Sequence, residues 1–281
     1  MSYRCFEMET TDHVAHVRLS RPDELNTMVP EFWQELPEIV DAISEEGSAR
    51  AIVVSSTGRH FSAGMDLSVF TSDSGLLGGG DAPTEVGRQR ALLRQTVRKL
   101  QDTFTALERA RMPVLAAIQG GCIGGAVDMV TAADCRYATE DAFFCIQEIN
   151  IGMTADVGTL QRLPKLIPEG VAREYAYTGR RMPAARAREV GLVNEVFETH
   201  DDLLSGVHEI AAEIATKSPL AVAGSKQVIT YTRDHPVADS LEYIATWQAG
   251  MFQPGDMMES FGAKSDGRDP DFEDLGRAPD F

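Results

Sequence analysis

Two short runs, Ala51-Ile52-Val53-Val54-Ser55 and Val114 to Ile118, constrain the fold most, because neither alternates apolar with polar residues. Such runs read as strands covered on both faces, the habit of parallel sheets flanked by helices. Helical patterns surround them: Pro30 to Ser44, where Pro37 predicts a kink, and the long amphipathic stretch Glu85 to Arg109. The alternation continues through short helices at Pro168 to Thr178 and Pro183 to Val190, then a strand at Gly191 to Val196. An α/β fold with a parallel sheet and crossover helices is therefore expected. An N-terminal hairpin precedes it, Tyr3 to Glu9 and Val14 to Leu19, turning at Thr11-Asp12. His13 and His16 are expected on its strands.

Both buried strands run into glycine turns. The first is Gly58-Arg59-His60-Phe61-Ser62-Ala63-Gly64-Met65-Asp66-Leu67; the second carries Gly120, Gly121, Gly124 and Gly125. Glycine at a strand-to-helix turn lets the backbone approach a ligand, and the helix start leaves N–H groups unpaired. Those donors and the positive helix end suit an oxygen that carries or acquires negative charge.

Three acids follow among apolar neighbours: Asp128, Glu148 and Asp156. Asp128 sits in Ala126-Val127-Asp128-Met129-Val130, a helix apolar nearly all round, where an unpaired carboxylate is costly. It is either a buried, hydrogen-bonded helix acid or a functional one. Glu148 ends the apolar run Ala142 to Ile146 and is either a strand-end surface charge or a site acid. Asp156, before Val157-Gly158-Thr159-Leu160, is either a helix N-cap or a third site acid. Grouped with the glycine turns, the three point to a site.

The chain has 281 residues, 43% hydrophobic and 25% charged, as in ordinary globular proteins. Its net charge of −17 disfavours nucleic acid and anionic membrane as partners. No leader pattern or membrane-length apolar run is present, and Arg277 to Phe281 is no peroxisomal signal; a cytoplasmic protein is expected. Cys5, Cys122, Cys135 and Cys145 form no C-x-x-C pair and read as buried thiols. Thr71 to Pro83, with Gly78-Gly79-Gly80, reads as a mobile loop that either covers a ligand or is disordered. Arg88, Arg90, Arg94, Arg98 and Lys99 form either a solvated helix face or phosphate contacts.

Motifs exclude several chemistries. There is no G-x-S-x-G nucleophile elbow, the glycines of 120–125 fit neither G-x-G-x-x-G nor a P-loop, and no histidine pair has metal-ligand spacing. The N–H groups of Met65 and Gly125, at the ends of two strands, could converge on one oxygen, and nearby carboxylates could move protons beside the carbonyl it belongs to. That is proton transfer alpha to a carbonyl, with no cofactor and no metal required.

His60 to Leu67 and Gly120 to Asp128 resemble the two oxyanion-hole motifs of the crotonase (enoyl-CoA hydratase/isomerase) superfamily, and Arg21-Pro22-Asp23-Glu24-Leu25-Asn26 is similar to its N-terminal motif. The segments G-G-C-I-G-G-A-V-D-M-V-T-A-A-D-C-R-Y and A-D-V-G-T-L-Q-R-L-P resemble its Δ3,5-Δ2,4-dienoyl-CoA isomerase branch, with Asp156 the acid that separates isomerase from hydratase. The resemblance implies a crotonase-like spiral of ββα repeats over residues 1–200. It implies a C-terminal helical region over 201–281 that trimerises, two trimers stacking to a hexamer. It further implies an acyl-CoA thioester substrate, coenzyme A being part of the substrate rather than a cofactor, held by Met65 and Gly125 and contacted by Ala63, Gly64, Asp66, Leu67 and Gly124. Asp128, Glu148 and Asp156 become the catalytic acids, in fatty-acid β-oxidation. The alternatives are an enoyl-CoA hydratase using Asp128 and Glu148, and a non-catalytic acyl-CoA- or RNA-binding relative.

From Asp201 the pattern is helical only: Asp201 to Thr216, Pro219 to Tyr231 and Pro236 to Gly250. Met251, Phe252, Met257, Met258 and Phe261 form an apolar surplus, expected at a subunit interface.

Overall fold

The computed structural model describes residues 3–66, 69, 85–252 and 254–279. The loop expected at Thr71 to Pro83, and Leu67, lie outside the described residues.

The sheet is organised by strands with two apolar faces. β1 (Phe6–Thr11) and β2 (Val14–Leu19) form the hairpin, closed by Asp12 and His13, both at positive φ. This two-residue turn places His13 at the corner, not on a strand. β3 (Ala51–Ser56), β4 (Val114–Ile118), β6 (Cys135–Thr139) and β9 (Glu195–Phe197) then add in parallel, giving the order β1-β2-β3-β4-β6-β9. In β3, Ile52 and Val54 enter one core while Ala51 and Val53 enter the other; in β4, Val114, Ala116 and Ile118 face opposite to Leu115 and Ala117. The two-residue period thus splits each run between two cores.

A second, small sheet holds β5 (Gly121–Ile123), β7 (Phe143–Cys145) and β8 (Met182–Pro183), with Ser62 bridged to Cys122 at its edge. The chain therefore winds as a spiral. β4 in the large sheet, β5 in the small one and helix α3 (Gly125–Ala132) make one ββα turn; β6, β7 and the helices after them make the next. The expected strand at Ala142 to Ile146 shortens to β7, and Glu148 begins a 3-10 turn, Glu148–Ile151. The final strand starts late because Gly191 turns at φ 85° and Leu192 and Val193 are consumed as core residues in the loop.

The larger core lies under α1 (Pro30–Glu46), α2 (Val86–Arg109) and α3. The acid helix α4 (Thr159–Leu166) and the short helices α5 (Glu169–Thr178) and α6 (Ala184–Glu189) follow. The other face of the sheet is closed by α7 (His200–Ala215) through Leu203, Val207, Ala211 and Ala215. Beyond it come α8 (Pro219–Asp234), α9 (Val237–Met251) and α10 (Pro254–Asp266), the last absent from the sequence-based expectation, which read Met257, Met258 and Phe261 as an apolar surplus only.

Pro37 does not end α1. It removes the N–H that would bond the Trp33 carbonyl, and the Thr103 hydroxyl of α2 donates to that carbonyl instead, at 3.1 Å in a buried setting. Thr103→Val should therefore cost about 1–3 kcal/mol, read as a lower urea midpoint. The cost should shrink in a Pro37→Ala background, where the helix supplies its own donor; an equal cost in both backgrounds would refute the pairing.

Candidate active site

The two glycine turns meet at the edge of the small sheet. Asn26, buried and at φ 52°, organises the first: its side-chain amide donates to the Thr57 and His60 carbonyls, and its Oδ1 accepts from the Arg21 N–H. Ser62 Oγ donates to the Asn26 carbonyl and accepts from the Gly64 N–H, while Met65 bridges in parallel to Met28. Ala63 N–H donates to Leu25 O, and the Asp66 carboxylate accepts from the Thr27 hydroxyl at 2.9 Å. The early Arg21-to-Asn26 motif is thus the clamp on the first turn.

Gly64 has φ 83°, and a Cβ there would lie 2.6 Å from Ile123 O and 3.4 Å from Gly125 N. Only glycine lets the first turn come this close to the start of α3. Gly124, the N-cap residue of α3 at φ 56°, likewise leaves room for Glu148: its added Cβ would stand 3.3 Å from Glu148 Oε1. Gly125 is the first residue of α3, so its N–H has no helical acceptor, and among the described residues neither it nor the Met65 N–H is bonded.

The three acids lie within electrostatic reach of one another, with Glu148 Oε1 beside Gly124. Asp128 is fully buried on α3; its Oδ1 accepts the Thr159 N–H at 2.6 Å, and its Oδ2 has no partner among the described residues. The N-cap reading thus belongs to Asp128, acting from another helix: α4 begins three residues after Asp156, and its own cap residue, Gly158, offers no side chain. Burial lifts the Asp128 carboxyl to about 6, against the Thr159 hydrogen bond, and the charge of Asp156 adds to the rise. Glu148 is pushed to about 7, first by burial and then by Asp128 and Asp156; its Oε2 also lacks a partner among the described residues. Asp156, half-buried, is raised by burial. Three carboxyls within electrostatic reach of one another, in low dielectric, cannot all be ionised near neutral pH.

Arg90, Arg94 and Arg98 are exposed on α2 and, among the described residues, have no acid partner. With Leu93, Val97 and Gln101 they line an open groove of about 620 Å³. Gln101 itself was missed by sequence reasoning: its side-chain amide donates to the Asp156 carbonyl at 2.7 Å. Its signal was the polar column Gln101, Thr105 and Glu108, which on sequence alone cannot be told from a solvated face. Among the described residues, no His, Cys, Asp and Glu side chains group as metal donors, and no helix is long and apolar enough to cross a membrane.

This arrangement has clear relatives. The enoyl-CoA hydratase/isomerase family model matches residues 9–275. The mitochondrial Delta(3,5)-Delta(2,4)-dienoyl-CoA isomerase of Mus musculus is 46% identical, the match covering 92% of this chain and 78% of that one. The peroxisomal enzyme of the same name from Arabidopsis thaliana is 39% identical over 98% of this chain and 99% of that one. A solved enoyl-CoA hydratase from Bacillus anthracis superposes with a TM-score of 0.85 at 29% identity, covering 96% and 99% of the two chains. The organellar relatives overturn the cytoplasmic expectation: an acidic, soluble-looking composition suits any aqueous compartment and does not select among them. The spiral fold and this kinship establish that the chain is an isomerase enzyme belonging to the enoyl-CoA hydratase/isomerase family.

Proposed function

We propose that the protein converts a 3,5-dienoyl-CoA into its 2,4-isomer by carrying a proton from C2 to C6. The observation that carries this reading is the third acid: Asp156 lies close enough to Asp128 and Glu148 to shift both, and Glu148 lies beside Gly124, next to the Gly125 amide, which like that of Met65 is unbonded among the described residues. The relatives from mouse and Arabidopsis bear the name of that reaction.

In this reading the Met65 and Gly125 N–H groups donate to the thioester oxygen, with Ala63, Gly64, Asp66 and Gly124 shaping the turns around it. Each such donor is worth about 3 kcal/mol of barrier. One carboxylate of the Glu148–Asp156 pair takes the C2 proton, the C2–H electrons pass into a trienolate, and the thioester oxygen gains charge. The other, as a carboxylic acid, protonates C6, and the double bonds settle at C2 and C4. Two ends of a conjugated system lie beyond the comfortable reach of one carboxyl, so two are used, one ionised and one protonated. Asp128 keeps the pair from ionising together and fixes the start of α4. Proton transfer of this kind requires neither metal nor cofactor, and the coenzyme A portion leaves with the product.

The helices beyond Pro219 serve self-association, as a trimer or a pair of trimers. Ile229, Val237, Leu241, Phe252, Met258 and Phe261 are all exposed there, a patch too apolar for a solvated surface.

Asp156→Asn should lower kcat on a 3,5-dienoyl-CoA by about 10²–10⁴-fold, followed as the conjugated dienoyl absorbance, while the fold is retained. Near-normal turnover in that variant, or faster wild-type action on crotonyl-CoA than on the diene, would remove the isomerase reading.

The raised Glu148 carboxyl also sets a pH dependence of stability. A carboxyl with a folded pKa of about 7 against an ordinary 4.5 binds its proton more tightly in the native state, so stability declines as pH rises from 4.5 through 7. Glu148→Gln, always neutral, should therefore gain up to about 3 kcal/mol over wild type at pH 8 and nothing below pH 4.5. Calorimetry at both pH values checks this; an equal difference at both would place the effect in packing rather than charge.

A further inference from the structure

The acid loop is held from α2. Gln101, Thr105 and Glu108 recur at four- and three-residue spacing on one face of that helix, a column directed at the loop Asp156-Val157-Gly158 and the first turns of α4. Gln101 donates to the Asp156 carbonyl at 2.7 Å. Arg162 of α4 donates to Thr105 Oγ1 at 3.3 Å and to Glu108 Oε2 at 2.8 Å. Both partners of the Arg162–Glu108 pair are largely buried, their side chains 12% and 13% exposed, and Arg233 of α8 closes on the other oxygen of Glu108. A Cβ on Gly158 would fall beside the Arg162 guanidinium, and the residue sits at φ 143°, a conformation that favours glycine.

We propose that Gln101 is a positioning residue for the reaction, and that the Gln101–Thr105–Glu108 column, through Arg162, fixes the reach of the Asp156 carboxyl toward the substrate. The proposal rests on the isomerase reading of Asp156. The reason is geometric. Asp156 precedes α4 by three residues and is neither helix nor strand, so no backbone ladder sets its direction. Among the described residues, the 2.7 Å bond to Gln101 is the side-chain bond made to its main chain. The loop is anchored on its far side by Asp128, which holds Thr159 N–H, and on its near side by Gln101. A misplacement of about 1 Å at a reacting group can cost about a hundredfold in rate, so slackening one anchor is enough to be read in kcat.

Gln101→Met keeps the length and the aliphatic stem and removes the donor. Gln101 is only partly buried on a surface helix, so the variant is expected to fold. On the 3,5-dienoyl-CoA, kcat should fall about 10- to 100-fold while KM stays within about twofold, because the amides that hold the thioester are untouched. The loosened loop also admits water to a carboxyl now raised by burial, so one inflection of the kcat–pH profile should move to lower pH. A merely structural glutamine would lower the unfolding midpoint and leave both the kcat–KM split and the pH inflection in place; that result overturns the proposal. Wild-type enzyme is assayed alongside on the same thioester. If it fails to turn over, the isomerase reading falls first; if it turns over and Gln101→Met matches it, only the positioning role falls.

Discussion

Three carboxyl groups share a space in which they cannot all carry charge. That constraint governs the site and much of the structure around it. Asp128 has no exposure at all, Glu148 and Asp156 are partly buried, and the charge of one acid raises the next. Two buried oxygens, Asp128 Oδ2 and Glu148 Oε2, are left without protein donors among the described residues. A fold that only sought stability would pair or replace such groups, since an unsatisfied buried polar atom costs about 1–3 kcal/mol. In the proposed isomerase reading, these oxygens and the two amides unbonded among the described residues are stability given up locally to keep protonation states poised near neutrality.

The rest of the molecule keeps that arrangement rigid. The double-faced strands β3 and β4 end in the two turns, and because each is packed on both sides, their ends cannot shift independently. Asn26 and Ser62 then tie the first turn down with side-chain bonds to carbonyls, in place of a regular ladder. At Gly64 and Gly124 the absence of a Cβ sets the separation between the turns and between the second turn and Glu148. The amides owe their direction to the backbone and the acids owe theirs to side-chain contacts, so the two halves of the site respond to different substitutions.

Much of this was legible in the chain itself, for physical reasons that differ by element. The strands at Ala51 and Val114 were readable because burial on both faces leaves no polar position. The glycine turns and the three acids stood out because such residues are costly among apolar neighbours and so invite explanation. Boundaries were less legible: Glu148 falls in a 3-10 turn, and the last strand begins at Glu195 because Leu192 and Val193 are spent on the core. Asp156 looked like an N-cap because Val157 to Leu160 looked like a helix start; no local pattern could reveal that Asp128, thirty-one positions earlier, accepts the Thr159 N–H. Gln101 was invisible for the same reason, since its partner is fifty-five positions away and Thr105 and Glu108 beside it read as an ordinary polar face. Contacts made across the fold by ordinary polar residues leave no trace in spacing.

Helix α2 joins these two classes of contact. One face carries Phe104 and Leu107 into the main core and lends the Thr103 hydroxyl to the carbonyl that Pro37 orphans in α1. A different face carries Gln101, Thr105 and Glu108 against the acid loop and α4. The helix is therefore registered by its apolar side and delivers that register to Asp156 by its polar side. A rotation of α2 by a single residue would move the column by about 100°, strip the loop of its bond and swing Phe104 and Leu107 out of the core. The Thr103 bond to the Trp33 carbonyl is made in that same register, beside the apolar face. The proline that looks like a flaw in α1 is thus compensated from the same helix whose other face bonds the loop at Asp156.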